Sequence, residues 1–175
     1  MAFEIEIKAW VEEPESLRKL LGKTYSYVRS YVKEDTYFRF PEKKETFRLR
    51  KQGEENIVTI KKKHREHGIE ENLETEFTVS DGGAFENLMF EIGCPVYVKK
   101  RKTTDAFDAG GITVELSSVD KLGWFVEIEK LVHSENREDK DRARDEIMKI
   151  FDFLQIPREK VEPRYYTELL TGIPE

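Results

Sequence analysis

Along most strand-like segments of this sequence, residues of like charge recur two positions apart: Glu4 and Glu6, Arg48 and Arg50, Lys61 and Lys63, Glu74 and Glu76, Lys99 and Arg101, Glu127 and Glu129. Successive side chains of a strand point to opposite faces, so the members of each pair share one. Guanidinium forks or ammonium groups on one face suit phosphate oxygens, and paired carboxylates suit the divalent cation that phosphates bring. The commonplace alternative is an open sheet with an apolar core face and a solvated charged face. Against it stands the sorting of sign by strand. A merely soluble surface mixes charges, because like charges side by side repel. Whole faces of one sign call for a ligand that neutralises them, and a metal-bound triphosphate is such a ligand.

The elements that must position these pairs follow from periodicity. Phe3, Ile5 and Ile7 alternate with Glu4, Glu6 and Lys8, giving a first strand. Residues 12–22 form a short amphipathic helix, with Pro14 in the first turn, Leu17, Leu20 and Leu21 as its stripe and Gly22 at its end. Strand-like runs follow at 25–40, 46–51, 57–63, 73–79, 96–102, 112–116 and 124–130. Gln52 to Glu55 and Asp108 to Gly111 read as hairpin turns, and His64 to Asn72 as a longer, charged loop. A second helix opens at Asp81-Gly82-Gly83, with Phe85, Leu88, Met89 and Ile92 expected to face the core. A third, over 138–154, turns Ala143, Ile147, Ile150, Phe151 and Leu154 inward and stops at Ile156-Pro157. The tail from Pro163 to Leu170 suits a strand or a short helix equally. The fold class is α+β: a single domain over residues 1–175, with helices packed outside a sheet. Closing that sheet into a barrel of about eight strands would gather the charged faces on one interior wall of low dielectric, with the apolar backs under the helices.

Composition narrows the function. Charged residues make up 38% of the 175, yet the net charge is -6, which argues against nucleic acid or anionic membrane as partner. No stretch of eighteen apolar residues occurs and the start is acidic and alternating, so the expected location is the cytoplasm. The lone cysteine, Cys94, permits neither an internal disulfide nor a thiolate zinc cluster, and His64, His67 and His133 read as solvated surface. Trp10 and Trp124 read as packing residues. Tyr37 and Phe125 are open between structural roles and contact with a nucleobase, and Asp35 is equally ambiguous.

The segment Glu4-Ile5-Glu6-Ile7-Lys8 resembles the ExExK signature of CYTH (triphosphate tunnel) proteins. The likeness continues in order through Asp35-Thr36-Tyr37-Phe38, Phe47-Arg48-Leu49-Arg50, Thr59-Ile60-Lys61, Glu74-Thr75-Glu76, Lys99-Lys100-Arg101 and Leu122 to Glu129. The LGxFxEIE segment and the closing Tyr166 to Leu170 look most like the class IV adenylyl cyclase branch. The resemblance implies a closed eight-stranded antiparallel barrel, a triphosphate substrate (ATP, tripolyphosphate or thiamine triphosphate), Mg²⁺ or Mn²⁺ as cofactor, and a possible homodimer. It assigns Glu4, Glu6, Glu127 and Glu129 to the metal, Lys8 as the signature lysine, and Arg48, Arg50, Lys61, Lys99 and Arg101 to the phosphates. Glu74 and Glu76 match the middle acidic pair, which orients basic residues or binds metal. Two departures stand out. Ser117 occupies a position usually held by Asp, with Glu115 two residues earlier on the same face as a candidate replacement at the metal. Asn72 stands where a basic residue is common. A one-residue slip would exchange Lys99 and Arg101 for Lys100 and Lys102.

Overall fold

A computed structural model describes residues 3–43, 45–66 and 68–172. His67 and the side chain of Lys63 lie outside the described residues. Eight strands form the sheet: β1 (Phe3–Trp10), β2 (Ser26–Phe38), β3 (Phe47–Gln52), β4 (Glu55–Glu66), β5 (Ile69–Thr78), β6 (Val96–Asp108), β7 (Thr113–Val119) and β8 (Gly123–Val132). They close in the order β1-β5-β4-β3-β2-β6-β7-β8, and every neighbouring pair is antiparallel. The helices are α1 (Pro14–Thr24), α2 (Gly82–Glu91), α3 (Arg137–Phe153) and α4 (Tyr166–Thr171). None of the described helices is long and apolar enough to cross a membrane.

The alternation of β1 does what its period requires. Ile5, Ile7 and Ala9 point out of the barrel into the main core, where they meet Val114, Leu116, Val126 and Ile128 of β7 and β8. Leu17 and Leu21 of α1 and Ala143, Ile147 and Phe151 of α3 cover them. Each of the Ile, Leu, Val and Phe side chains among them, taken fully out of water, contributes about 1.5–3 kcal/mol. Glu4, Glu6 and Lys8 consequently face the lumen. A second core under α2 gathers Phe38, Leu49, Val58, Met89 and Cys94. A third, of Val119, Phe125 and Tyr166 with Trp10 packed against it, closes one end of the barrel through α4.

Three expectations are corrected. The stretch from His64 to Asn72 is not a loop: β4 and β5 run through it and turn only around Gly68, at φ 79°. Its charges looked loop-like in composition but have cross-partners, Arg65 with Glu168, Glu70 with Lys8, and Glu71 with both Lys140 and Arg144 of α3. Strand β6 continues six residues past Lys102, to Asp108. In α2 only Phe85 and Met89 pack inward, while Leu88 and Ile92 are half-exposed, because a single helix on a curved wall buries one i, i+4 row rather than a full stripe. The tail is the short helix α4, with Gly172 in the left-handed region at its end.

Candidate functional site in the barrel lumen

The lumen encloses about 270 Å³ and is walled mainly by ionic side chains. At the strand ends away from α4, one side-chain oxygen from each of Glu4, Glu6 and Glu129 lies within 4.8 Å of the others. Glu4 and Glu6 come from one face of β1, and Glu129 is the direct partner of Glu6 across β8. This is hard, oxygen-only donor chemistry, the kind that Mg²⁺ or Mn²⁺ takes. Lys61 of β4 is 3.3 Å from Glu4 and also pairs with Glu74 of β5.

Charge regulation separates these carboxylates. Burial alone would raise the Glu4 carboxyl, but the Lys61 ammonium overrides it and holds it well below the usual range. At Glu6 the nearby Lys8 is outweighed: burial, followed by Glu127, Glu70 and Glu4, pushes the carboxyl well above the ordinary value. Glu129 is pushed up to about 8, by burial and then by Glu4 and Glu115. A cation entering this cluster must displace protons, so its affinity climbs with pH until the carboxyls are ionised. Mn²⁺ binding measured by calorimetry is therefore expected to strengthen at least tenfold from pH 6 to pH 8; a flat profile would mean the cation binds elsewhere. The stability sign agrees. A carboxyl raised in the folded state stabilises the metal-free protein only while protonated, and that contribution fades as pH rises through about 8. Thermal stabilisation by Mn²⁺ should be larger at pH 8.5 than at pH 6.

The opposite wall is basic. Arg50 makes a two-pronged contact with Asp35, at 2.7 and 3.0 Å, and Lys100 sits 3.1 Å from the same carboxylate. Burial opposes ionisation of Asp35, yet Lys100 and Arg50 hold it well below its usual range, so it acts as a fixed counter-ion that aligns two cations. Arg48 donates to Thr59 at 2.9 Å and lies 3.5 Å from Glu76, while its buried Nε has no partner among the described residues. A guanidinium N–H left unpaired in a cavity marks a place for an anionic acceptor. Lys8 reaches Glu70 at 3.2 Å, and the ammonium groups of Lys8 and Lys100 stand 4.8 and 4.6 Å from the centre of the Tyr166 ring. The closed end of the lumen thus sets two ammonium groups, each paired with a carboxylate, above an aromatic floor.

Of the residues singled out by sequence, Glu4, Glu6, Lys8, Arg48, Arg50, Lys61, Glu74, Glu76, Glu115, Glu127 and Glu129 all line the lumen. They do not form one cluster. Glu127 and Glu115 lie apart from the three convergent acids, sharing the Lys102 ammonium; Glu115, 2.7 Å from it, also accepts from Tyr31 and lies 3.1 Å from Lys33. Ser117 carries no charge to the lumen and shares a 2.9 Å hydrogen bond with Thr104. Lys99 and Arg101 are a correction. Their side chains are 65% and 49% exposed, outside the barrel, beside Glu86 and Glu34. Lys100 and Lys102 take the inward places. The run Lys99-Lys100-Arg101-Lys102 has no alternation of its own, so its face is set by the strand beyond it: Phe107 points into the outer core, and counting back by two turns Arg101 and Lys99 outward. Lys33, Glu70, Lys100 and Lys102 are lumen residues that sequence reasoning did not single out as primary. Tyr37 faces the lumen, and Phe125 is fully buried between Trp10 and Tyr166.

The model of the CYTH domain family matches residues 2–166 of this chain. The chain belongs to the CYTH domain family. CYTH triphosphate tunnel enzymes act on triphosphates and depend on a metal. The chain is 25% identical over 172 residues to a candidate adenylate cyclase of Methanocaldococcus jannaschii, covering 95% of this chain and 97% of that one. A conserved hypothetical protein from Pyrococcus furiosus superposes with a TM-score of 0.81 at 28% identity, covering 95% and 99% of the two chains. A candidate adenylyl cyclase from Hippeastrum shares the fold at a TM-score of 0.69 and 13% identity, covering 98% of this CYTH chain and 96% of its own.

Proposed function

We propose that this CYTH protein is a metal-dependent enzyme that draws a triphosphate into its lumen and, acting on ATP, forms cyclic AMP and pyrophosphate. The observation that carries the reading is the facing of two walls: three convergent carboxylates opposite a basic set in which the buried Nε of Arg48 lacks a partner among the described residues. Glu4, Glu6 and Glu129 would hold the cation, which supplies Lewis-acid polarisation of phosphate oxygens when bound. The chain's own residues do the rest. Arg48, Arg50, Lys61 and Lys100 take up the negative charge of the phosphates, and because Asp35 and Glu74 already orient three of these cations, little reorganisation accompanies substrate entry. The hydrophobic floor of Phe125 and Tyr166 excludes water from the closed end and strengthens every contact above it. None of the described lumen residues is placed as a dedicated general base, so proton removal from the attacking hydroxyl falls to solvent or to a carboxylate of the metal cluster.

Hydrolysis of a triphosphate is the second reading, and one observation favours it. Ser117 offers no carboxylate and Glu115 is held by Lys102, Lys33 and Tyr31, so this part of the cyclase-like pattern is absent from the lumen. The Hippeastrum protein, named as a candidate cyclase, has a dominant triphosphatase activity. Incubating the purified protein with ATP or tripolyphosphate and Mg²⁺ or Mn²⁺, then separating products, decides the matter: cyclic AMP with pyrophosphate supports the first reading, orthophosphate the second. Neither product would remove both.

The inward and outward basic residues should behave differently. Lys100→Ala is expected to raise KM for the triphosphate at least tenfold, as loss of one charge-assisted contact does. Lys99→Ala combined with Arg101→Ala should leave KM within about twofold, since exposed charges contribute little to a contact they do not make. Equal effects would place phosphate outside the barrel.

A further inference from the structure

One buried polar atom in the lumen wall is unexplained by the ion pairs around it. Asn72 of β5 is fully buried and is the direct cross-strand partner of Glu4. Its Nδ2 donates to Glu70 at 3.2 Å, and Glu70 is anchored on its other oxygen by Lys8, also at 3.2 Å. The Oδ1 is buried with no hydrogen-bond partner among the described residues. Glu70 decides which way the amide faces, because the flipped form would set a carbonyl oxygen against a carboxylate. The oxygen is therefore turned away from Glu70, in a wall whose neighbouring positions are Glu4 across β1, Lys63 across β4 and Glu74 two residues along the strand. Leaving a buried acceptor unpaired costs roughly 1–3 kcal/mol. An electropositive partner would satisfy it.

We propose that the amide oxygen of Asn72 is a neutral ligand of the cation held by Glu4, Glu6 and Glu129, with Glu70 and Lys8 acting as positioning residues that fix the amide's orientation. The proposal rests on the metal-site reading above. It also gives a use to the departure at this position: where relatives by resemblance place a basic side chain, this chain presents a lone pair. The exchange removes one positive charge from the cation's surroundings and adds an oxygen to its shell, both of which favour binding of the cation before the triphosphate arrives.

The test is Mn²⁺ titration of the full chain by calorimetry at pH 8 without nucleotide, on the wild type and on Glu4→Gln, Asn72→Leu and Asn72→Asp. Glu4→Gln reports on the metal site itself. Asn72→Leu is expected to weaken Mn²⁺ binding at least tenfold, the scale on which ligands and their supporting contacts act. Asn72→Asp, which keeps an oxygen and adds charge, should bind at least as tightly as the wild type. If Glu4→Gln weakens binding and Asn72→Leu stays within twofold of wild type, Asn72 is no ligand and its oxygen meets water. If Glu4→Gln itself has no effect, the metal-site reading fails first. Should Asn72→Leu not fold, Asn72→Asp decides alone, and weaker binding than wild type overturns the proposal.

Discussion

Glu4→Gln combined with Glu6→Gln is expected to lower turnover of the triphosphate at least a thousandfold, about 4 kcal/mol of lost transition-state stabilisation. The substitution keeps the shape of both side chains and removes two of the three charges that converge within 4.8 Å. Glu129 alone cannot hold a divalent ion against solvent, so the phosphate chain would enter a lumen with its basic wall intact and nothing to bridge its oxygens on the other side. Substrate affinity should fall far less than turnover, because Arg48, Arg50 and Lys100 are untouched. The same variant should not be less stable than the wild type without metal. Glu6 is raised by burial and by Glu127, Glu70 and Glu4, so its charge is a source of repulsion that the amide relieves. The loss of the Lys61 pair with Glu4 works the other way, but Lys61 retains Glu74. A melting temperature equal to or above that of the metal-free wild type, together with loss of turnover, separates a metal-site effect from a folding defect. Unchanged kcat would take both carboxylates out of the mechanism.

How far the sequence reaches depends on what alternates. On β1 and in the middle of β8 the apolar and ionic residues interleave one by one, so face and lumen position are legible from Phe3 to Lys8 and from Val126 to Glu129. On β6 they are not, because four basic residues in a row fit either face, and the residue that settles the matter, Phe107, lies beyond the point where the strand pattern fades. The closed end was equally hidden. Tyr166 reads as part of an undecided tail, yet it becomes the floor of the lumen because Arg65 of β4 holds Glu168 at the N-terminal turn of α4 and Glu162 ties the preceding chain to Trp10. Such contacts join residues far apart in sequence, and no local period records them. Glu70 and Glu71 make the same point. Adjacent in a stretch that reads as solvated loop, one faces Lys8 in the lumen and the other faces Lys140 and Arg144 on α3, and their charges mark the two sides of a strand.

Lys102 illustrates what such hidden contacts are worth. Its ammonium lies between Glu115 and Glu127, and all three side chains are almost wholly removed from solvent. Burial would lower the Lys102 amine, but the two carboxylates raise it well above its usual value; burial likewise opposes ionisation of Glu115 and Glu127, and Lys102 depresses both. Lys102→Met keeps the length of the side chain and leaves two buried carboxylates facing each other, with Lys33 near Glu115 alone. Removing one partner of a buried pair costs about 3–5 kcal/mol, which for a chain of this size lowers the melting temperature by roughly 10 °C. The sign with pH is diagnostic. In the wild type the depressed carboxylates contribute stability above the ordinary carboxylate range and lose it only in acid. In the variant their folded-state values rise instead, so the deficit shrinks as pH falls from 8 to 6 and the acids take up protons. Adding Glu127→Gln to Lys102→Met should recover part of the loss at pH 8, because the remaining carboxylate keeps Lys33 as its partner. If thermal melts show a deficit independent of pH and no recovery in the double variant, the loss comes from packing, and the buried charges of this wall are not what holds β6, β7 and β8 together.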